Sequence, residues 1–131
     1  MEKYFHFDRS KSLQELEGQD WSETIFDSHL VITCRGLRRK AIGSFEVEDL
    51  RIMISQAIGL NYLIPLALEI LEDDIFAEGC SYRGDLLDAV LRVDKKFWRN
   101  NLTYRKDLES MLERNINDLK YKLSSFYQES R

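Results

Sequence analysis

Two histidines, two cysteines and a pair of glutamates three residues apart are the groups from which chemistry could be built in this chain. A nucleophilic site needs a base beside Ser, Cys or Thr and a third group to orient it. His6 stands in the aromatic stretch Tyr4-Phe-His-Phe7, and His29 stands in the first turn of a helix, so packing or solvation describes both better than catalysis. Cys34 and Cys80 lack metal-ligand spacing, and each reads as a small buried hydrophobe without a disulfide. Glu69 and Glu72 share a helix face, but a di-iron bundle uses Glu-x-x-His pairs and neither glutamate has that histidine. The sequence holds no His-Glu-x-x-His, no paired Cys-x-x-Cys and no glycine-rich phosphate loop; its six glycines are scattered. The expectation is a protein without enzymatic activity, metal or cofactor, one that works by binding.

The elements that must carry a binding surface are helical almost throughout. Ser12-Leu-Gln-Glu-Leu-Glu-Gly18 reads as a short helix, with Ser12 as N-cap, Glu15 as its capping-box partner and Gly18 as stop. Trp21 and Phe26 anchor the connection that follows. Ser28, or else Asp27, caps a helix with Leu30, Val31, Cys34 and Leu37 at core spacing, and Arg38, Arg39 and Lys40 complement the dipole of its last turn. Val47, Leu50, Met53, Ile54, Ala57 and Ile58 make the next apolar stripe, ended by a left-handed Gly59. From Leu63 to Leu71 the only clearly polar residue is Glu69, so this helix is apolar all round and should be the buried centre. Pro65 fits either its first turn or a kink.

Gly79 to Gly84 reads as a loop, Asp85 as the N-cap of a largely buried helix over Leu86 to Val93, and Asn100-Asn101 as a break. The last helix runs from about Thr103 to Phe126, with Leu108, Met111, Leu112, Ile116, Leu119, Leu123 and Phe126 inward. Only Tyr4–Phe7 and Trp21–Phe26 could be extended. The expected fold is all-α: one compact single-domain bundle of about five to seven helices around a buried central helix, spanning residues 1–131. The longest apolar run, Tyr62 to Leu68, is far short of the roughly 20 residues of a membrane helix. The amino terminus does not have the pattern of a secretory signal, which points to the cytoplasm.

Charge narrows the partner. The net charge is −4, but residues 35–40 carry +4, residues 41–94 carry −8 and residues 95–131 carry +4. An acidic middle repels phosphate and attracts a cationic partner. The junction Ala57-Ile-Gly-Leu60 superficially matches a helix-turn-helix, but that motif needs an exposed polar second helix. Here the second helix is Leu63-Ile-Pro-Leu-Ala-Leu68, the best core helix in the chain. The remaining nucleic-acid alternative is a small helical scaffold or regulator with a basic carboxy-terminal helix.

An ordered set of segments adds a family. Ser12-Leu-Gln-Glu-Leu-Glu-Gly18, Asp27-Ser-His-Leu-Val-Ile-Thr-Cys34, Val47-Glu-Asp-Leu-Arg-Ile-Met-Ile54, Ile58-Gly-Leu60 and Tyr62-Leu-Ile-Pro-Leu-Ala-Leu-Glu69 come first. Ala77-Glu-Gly79, Gly84-Asp-Leu-Leu87, Ala89-Val-Leu-Arg-Val-Asp94 and Phe97-Trp98 follow. Together, over residues 12–98, they resemble the immunity proteins of contact-dependent growth inhibition (CDI) systems, leaving the helix of about 103–126 outside the likeness. Glu46 departs from the pattern where a threonine cap is expected, Ser55 where a glycine is common and Arg83 where proline is frequent. The resemblance implies a protein with no active site that binds the C-terminal toxin domain of a cognate effector, one to one, and blocks it. Such toxins are frequently nucleases, often ribonucleases, whose cationic surfaces suit an acidic inhibitor. On that reading no membrane and no direct nucleic acid is expected as partner. The contact surface is expected at Glu69, Glu72, Asp73, Asp74 and Glu78, with Tyr82 and Arg83, where the buried helix emerges into an acidic run.

Overall fold

A computed structural model describes residues 7–19, 21 and 28–120. These residues form α1 (Leu13–Glu17), α2 (His29–Arg38), a 3-10 turn (Ile42–Ser44), α3 (Val47–Ser55), α4 (Leu60–Asp73), α5 (Asp85–Leu91), α6 (Lys95–Asn100) and α7 (Leu102–Arg114). The protein is an all-α single-domain bundle, with no strand among the described residues. Residues 4–6 and 22–26 of the two stretches expected to be extended lie outside the described residues, as do Asp27, Leu123 and Phe126.

α4 is the centre because it is apolar on nearly every side. Leu63, Ile64, Pro65, Leu66, Ala67, Leu68 and Leu71 are all buried, and α4 packs on α3, α5 and α7. Pro65 lies inside the helix rather than in its first turn. Its ring cannot donate to the carbonyl four residues back; that residue, Asn61, is exposed, so water can satisfy the group. Around α4, α1 packs on α2, α2 on α3, α3 on α5 and α6 on α7.

Local chemistry starts and stops these helices. Ser12 and Glu15 form the expected capping box, and Gly18 ends α1 in the left-handed region at φ 65°. Ser28 caps α2 by accepting from the Val31 N–H at 3.2 Å. Glu46, in place of threonine, still starts α3, its N–H donating to Asp49 at 2.9 Å. Segment 9–12 runs beside 41–43, with an isolated antiparallel bridge at Ser12 and Ala41 and the Gly43 N–H donating to the Arg9 carbonyl at 2.8 Å.

Several expectations are corrected. Leu30 and Val31 are exposed, whereas Arg35 and Arg38 join Cys34 and Leu37 in the interior. Arg38 succeeds there because it pairs with Glu17, donates to the Gln19 carbonyl at 2.7 Å and lies 4.9 Å from the centroid of the Trp21 ring. The basic cluster therefore knits α1 to α2 and α3, since Lys40 also pairs with Asp49 at 2.8 Å.

α3 ends earlier than its apolar stripe: Ala57 is exposed and itself adopts φ 57°. Gly59 then supplies a left-handed N-cap to α4 rather than the stop of α3. A Cβ there would lie 2.6 Å from Leu13 Cδ1, so the close approach of α1 also demands glycine. Cys80 is exposed, not buried, although both cysteines are free. Lys95–Asn100 is a helix of its own. The last helix breaks at Asn115 before turning helical again at 116–120, which leaves Ile116 exposed while Leu108, Met111, Leu112 and Leu119 stay inside.

Candidate functional site

The acidic run begins in the last turn of α4 and continues into the connection to α5. Asp74 is the C-cap of α4, and its carboxylate accepts from the Phe76 N–H at 3.0 Å. Glu72, Asp73, Asp74 and Glu78 are all exposed. Glu72 meets Arg114 at 2.8 Å, with 43% of its side chain still accessible. An ion pair this open contributes at most about 1 kcal/mol and is easily exchanged for a partner's cation. Glu69 stands apart from these. It holds Arg9 in a two-pronged pair at 2.8 and 2.5 Å, with both side chains largely covered. Together the two line a cleft of about 190 Å³ with Ile42, Phe45, Leu50, Leu66 and Ile70.

Tyr82 and Arg83 are brought to the same end by the fold of the α4–α5 loop. The Gly84 N–H donates to the Phe76 carbonyl at 3.1 Å, closing the loop on itself. Arg83 stacks 4.3 Å from the Phe76 ring centroid. Tyr82 is exposed, and its hydroxyl donates to Asp88 at 2.5 Å, an interaction that pushes the phenol above its ordinary value.

Asp85 is not the N-cap that its position suggested. Gly84, at φ 89°, caps α5, and the buried Asp85 carboxylate turns back beneath the loop. It accepts the N–H groups of Gly79 at 2.7 Å, Ser81 at 3.0 Å and Tyr82 at 3.3 Å. The intervening N–H, that of Cys80, donates to Glu48 on α3 at 2.9 Å. Four consecutive backbone donors are thus satisfied by two carboxylates. Arg51 clamps Glu48 through two bonds at 2.7 and 2.6 Å and lies 3.7 Å from Asp85. Burial alone would raise the Asp85 carboxyl, but the backbone donors and Arg51 overcome it and hold it below its ordinary value. Glu48 is held low chiefly by Arg51. A Cβ on Gly79 would lie 2.5 Å from Glu48 Oε1 and 3.2 Å from Asp85 Oδ2, so a larger residue there would have to displace the Glu48 carboxylate that Arg51 clamps.

The structure places Glu72, Asp73, Asp74, Glu78, Tyr82 and Arg83 exposed at the end of α4 and in the loop that follows, and ties Glu69 to Arg9. Sequence reasoning missed the supporting pair, Glu48 and Asp85. The signal was present in Gly84, because a left-handed glycine directly before Asp85 takes the cap and frees the carboxylate. No group of three or more His, Cys, Asp or Glu side chains is placed to hold a metal among the described residues. No helix among them is long and apolar enough to cross a membrane.

A family model described as CDI immunity proteins matches residues 15–108, well over half of the chain. The chain belongs to the CDI immunity protein family. The matched span of this immunity-family chain runs from within α1 into α7 and contains α4, the pinned loop and both carboxylates beneath it. No curated protein and no solved structure matches it.

Proposed function

We propose that this protein is a stoichiometric inhibitor: it binds the C-terminal toxin domain of its cognate CDI effector one to one and blocks it in the cell that makes both. Membership of the family, over residues 15–108, is the observation that carries this reading. The toxin is a cationic nuclease, one that cuts RNA, and it docks on Glu72, Asp73, Asp74 and Glu78 with Tyr82 and Arg83. The exposure of these groups supports that choice, as does the −8 net charge of residues 41–94. An anionic surface speeds encounter with a cationic partner and selects it. Glu69, whose charge Arg9 already matches, is left out of the contact set. Tyr82, a large side chain on a loop fixed by its backbone, supplies the anchor that such surfaces centre on.

Calorimetric titration against the toxin domain encoded beside this protein, followed by an RNA-cleavage assay on the complex, tests the reading. One-to-one binding at nanomolar Kd or tighter, with cleavage abolished, is expected. Absence of binding at micromolar concentrations refutes the inhibitor role. Tight binding to a toxin that does not cut RNA removes only the ribonuclease assignment.

A further inference from the structure

Six of the described arginines and lysines, Arg9, Arg38, Lys40, Arg51, Arg105 and Arg114, are matched by carboxylates. Residues 92–106 are different, with six basic residues and one acidic, a net charge of +5. Lys95, Lys96 and Arg99 on α6 and Lys106 on α7 are exposed. None of these four has a carboxylate within salt-bridge distance among the described residues. Arg92, also exposed, lies just before them. The one acidic residue, Asp94, spends its side chain as the cap of α6, accepting from the Lys96 N–H at 2.7 Å.

This arrangement works against the helix that carries it. Lys95 and Lys96 open α6, where the helix dipole disfavours cations. Lys95 and Arg99 are four apart on one face, and Lys96 and Arg99 three apart, so like charges repel. α6 begins on the Asp94 cap and is held by the buried Trp98 and by the Asn101 side chain donating to the Phe97 carbonyl at 2.8 Å, but none of these separates the like charges from one another. Exposed like charges with no carboxylate to neutralise them are what a polyanionic partner can use.

We propose that Lys95, Lys96, Arg99 and Lys106, with Arg92 beside them, form a site for the phosphate backbone of a nucleic acid. Lys106 lies in the second turn of α7, about 12 Å along the helix from Arg114, the residue that meets Glu72. Lys95, Lys96 and Arg99 stand on α6, which packs on α7. The chemistry favours phosphate over an acidic protein. Protein interfaces centre on buried aromatic or apolar anchors, and here Trp98 is turned inward, leaving Leu102 as the one exposed large apolar side chain within 92–106. Charge without anchors is what backbone binding uses.

Fluorescence anisotropy of the full chain with a labelled 20-nucleotide RNA and a 20-base-pair DNA tests this without any toxin, so its failure is separate from failure of the inhibitor role. Binding by either probe is expected at 50 mM salt. It should weaken roughly 50-fold by 200 mM for the RNA, as four released counterions require. K95E/K96E/R99E, all solvent-facing and checked by circular dichroism, should weaken it at least tenfold, while E72K/D73K leaves it unchanged or tighter. No binding at 50 mM salt, or binding indifferent to K95E/K96E/R99E, overturns the proposal. Tighter binding of poly-glutamate than of RNA at equal charge also overturns it and assigns the patch to an acidic protein.

Discussion

Asp85 decides the shape of the loop that carries the proposed toxin contact. Three backbone donors converge on its buried carboxylate, so Asp85→Asn loses acceptor capacity and should cost about 1–3 kcal/mol in urea denaturation. Both Asp85 and Glu48 are held below their ordinary values in the folded protein. The stability they add is therefore fully present above the unfolded-chain values of about 4 and is lost as pH falls through the lower folded values. Asp85→Asn should flatten that acid limb of the stability curve, measured by urea midpoints across the acidic range. Gly79→Ala forces a methyl group against Glu48 and its Arg51 clamp and should cost about 1–3 kcal/mol. Single residues were legible in the sequence where the partner is local. Ser12, Glu15, Gly18 and Ser28 act within one turn and were read correctly. Asp85 and Glu48 act through a loop closed by tertiary contact, which spacing along the chain does not encode.

At the scale of elements, the buried α4 was legible because its composition is apolar on every face. α2 was misjudged for an equally physical reason. Periodicity counts apolar residues, yet the interior face of α2 includes Arg35 and Arg38, and Arg38 is made tolerable by Glu17, the Gln19 carbonyl and Trp21. Truncating Arg38 to alanine should destabilise the fold by about 2 kcal/mol or more in thermal or urea unfolding, with loss both of packing and of the pair. The α3–α4 joint gives the opposite sign. Ala57 sits at φ 57°, a region that penalises a Cβ. Ala57→Gly should therefore stabilise the protein by about 1 kcal/mol, seen as a higher Tm. The stop was sought at Gly59 because glycine is the usual left-handed residue; Leu13, packed against Gly59 from α1, reserves that position for a different use.

At the scale of the whole molecule, charge is uneven along the chain: residues 41–94 carry −8 and residues 92–106 carry +5. Glu72→Lys with Asp73→Lys should slow association with the toxin at least tenfold at low salt, measured by stopped flow, with a smaller change in dissociation. The folded fraction should be unaffected, because Glu72 contributes only an exposed pair and Asp73 points to solvent. The acidic run Glu72-Asp-Asp74 was legible in the sequence; the pairing of Glu69 with Arg9, sixty positions away, was not. The way the loop is pinned has a consequence for how such a surface changes over generations. Its four inward bonds use main-chain atoms, so the side chains of Cys80, Ser81, Tyr82 and Arg83 carry none of that anchoring. Recognition can be rewritten at these positions while Gly79, Asp85 and Glu48 keep the frame, so one scaffold is able to follow a partner that drifts.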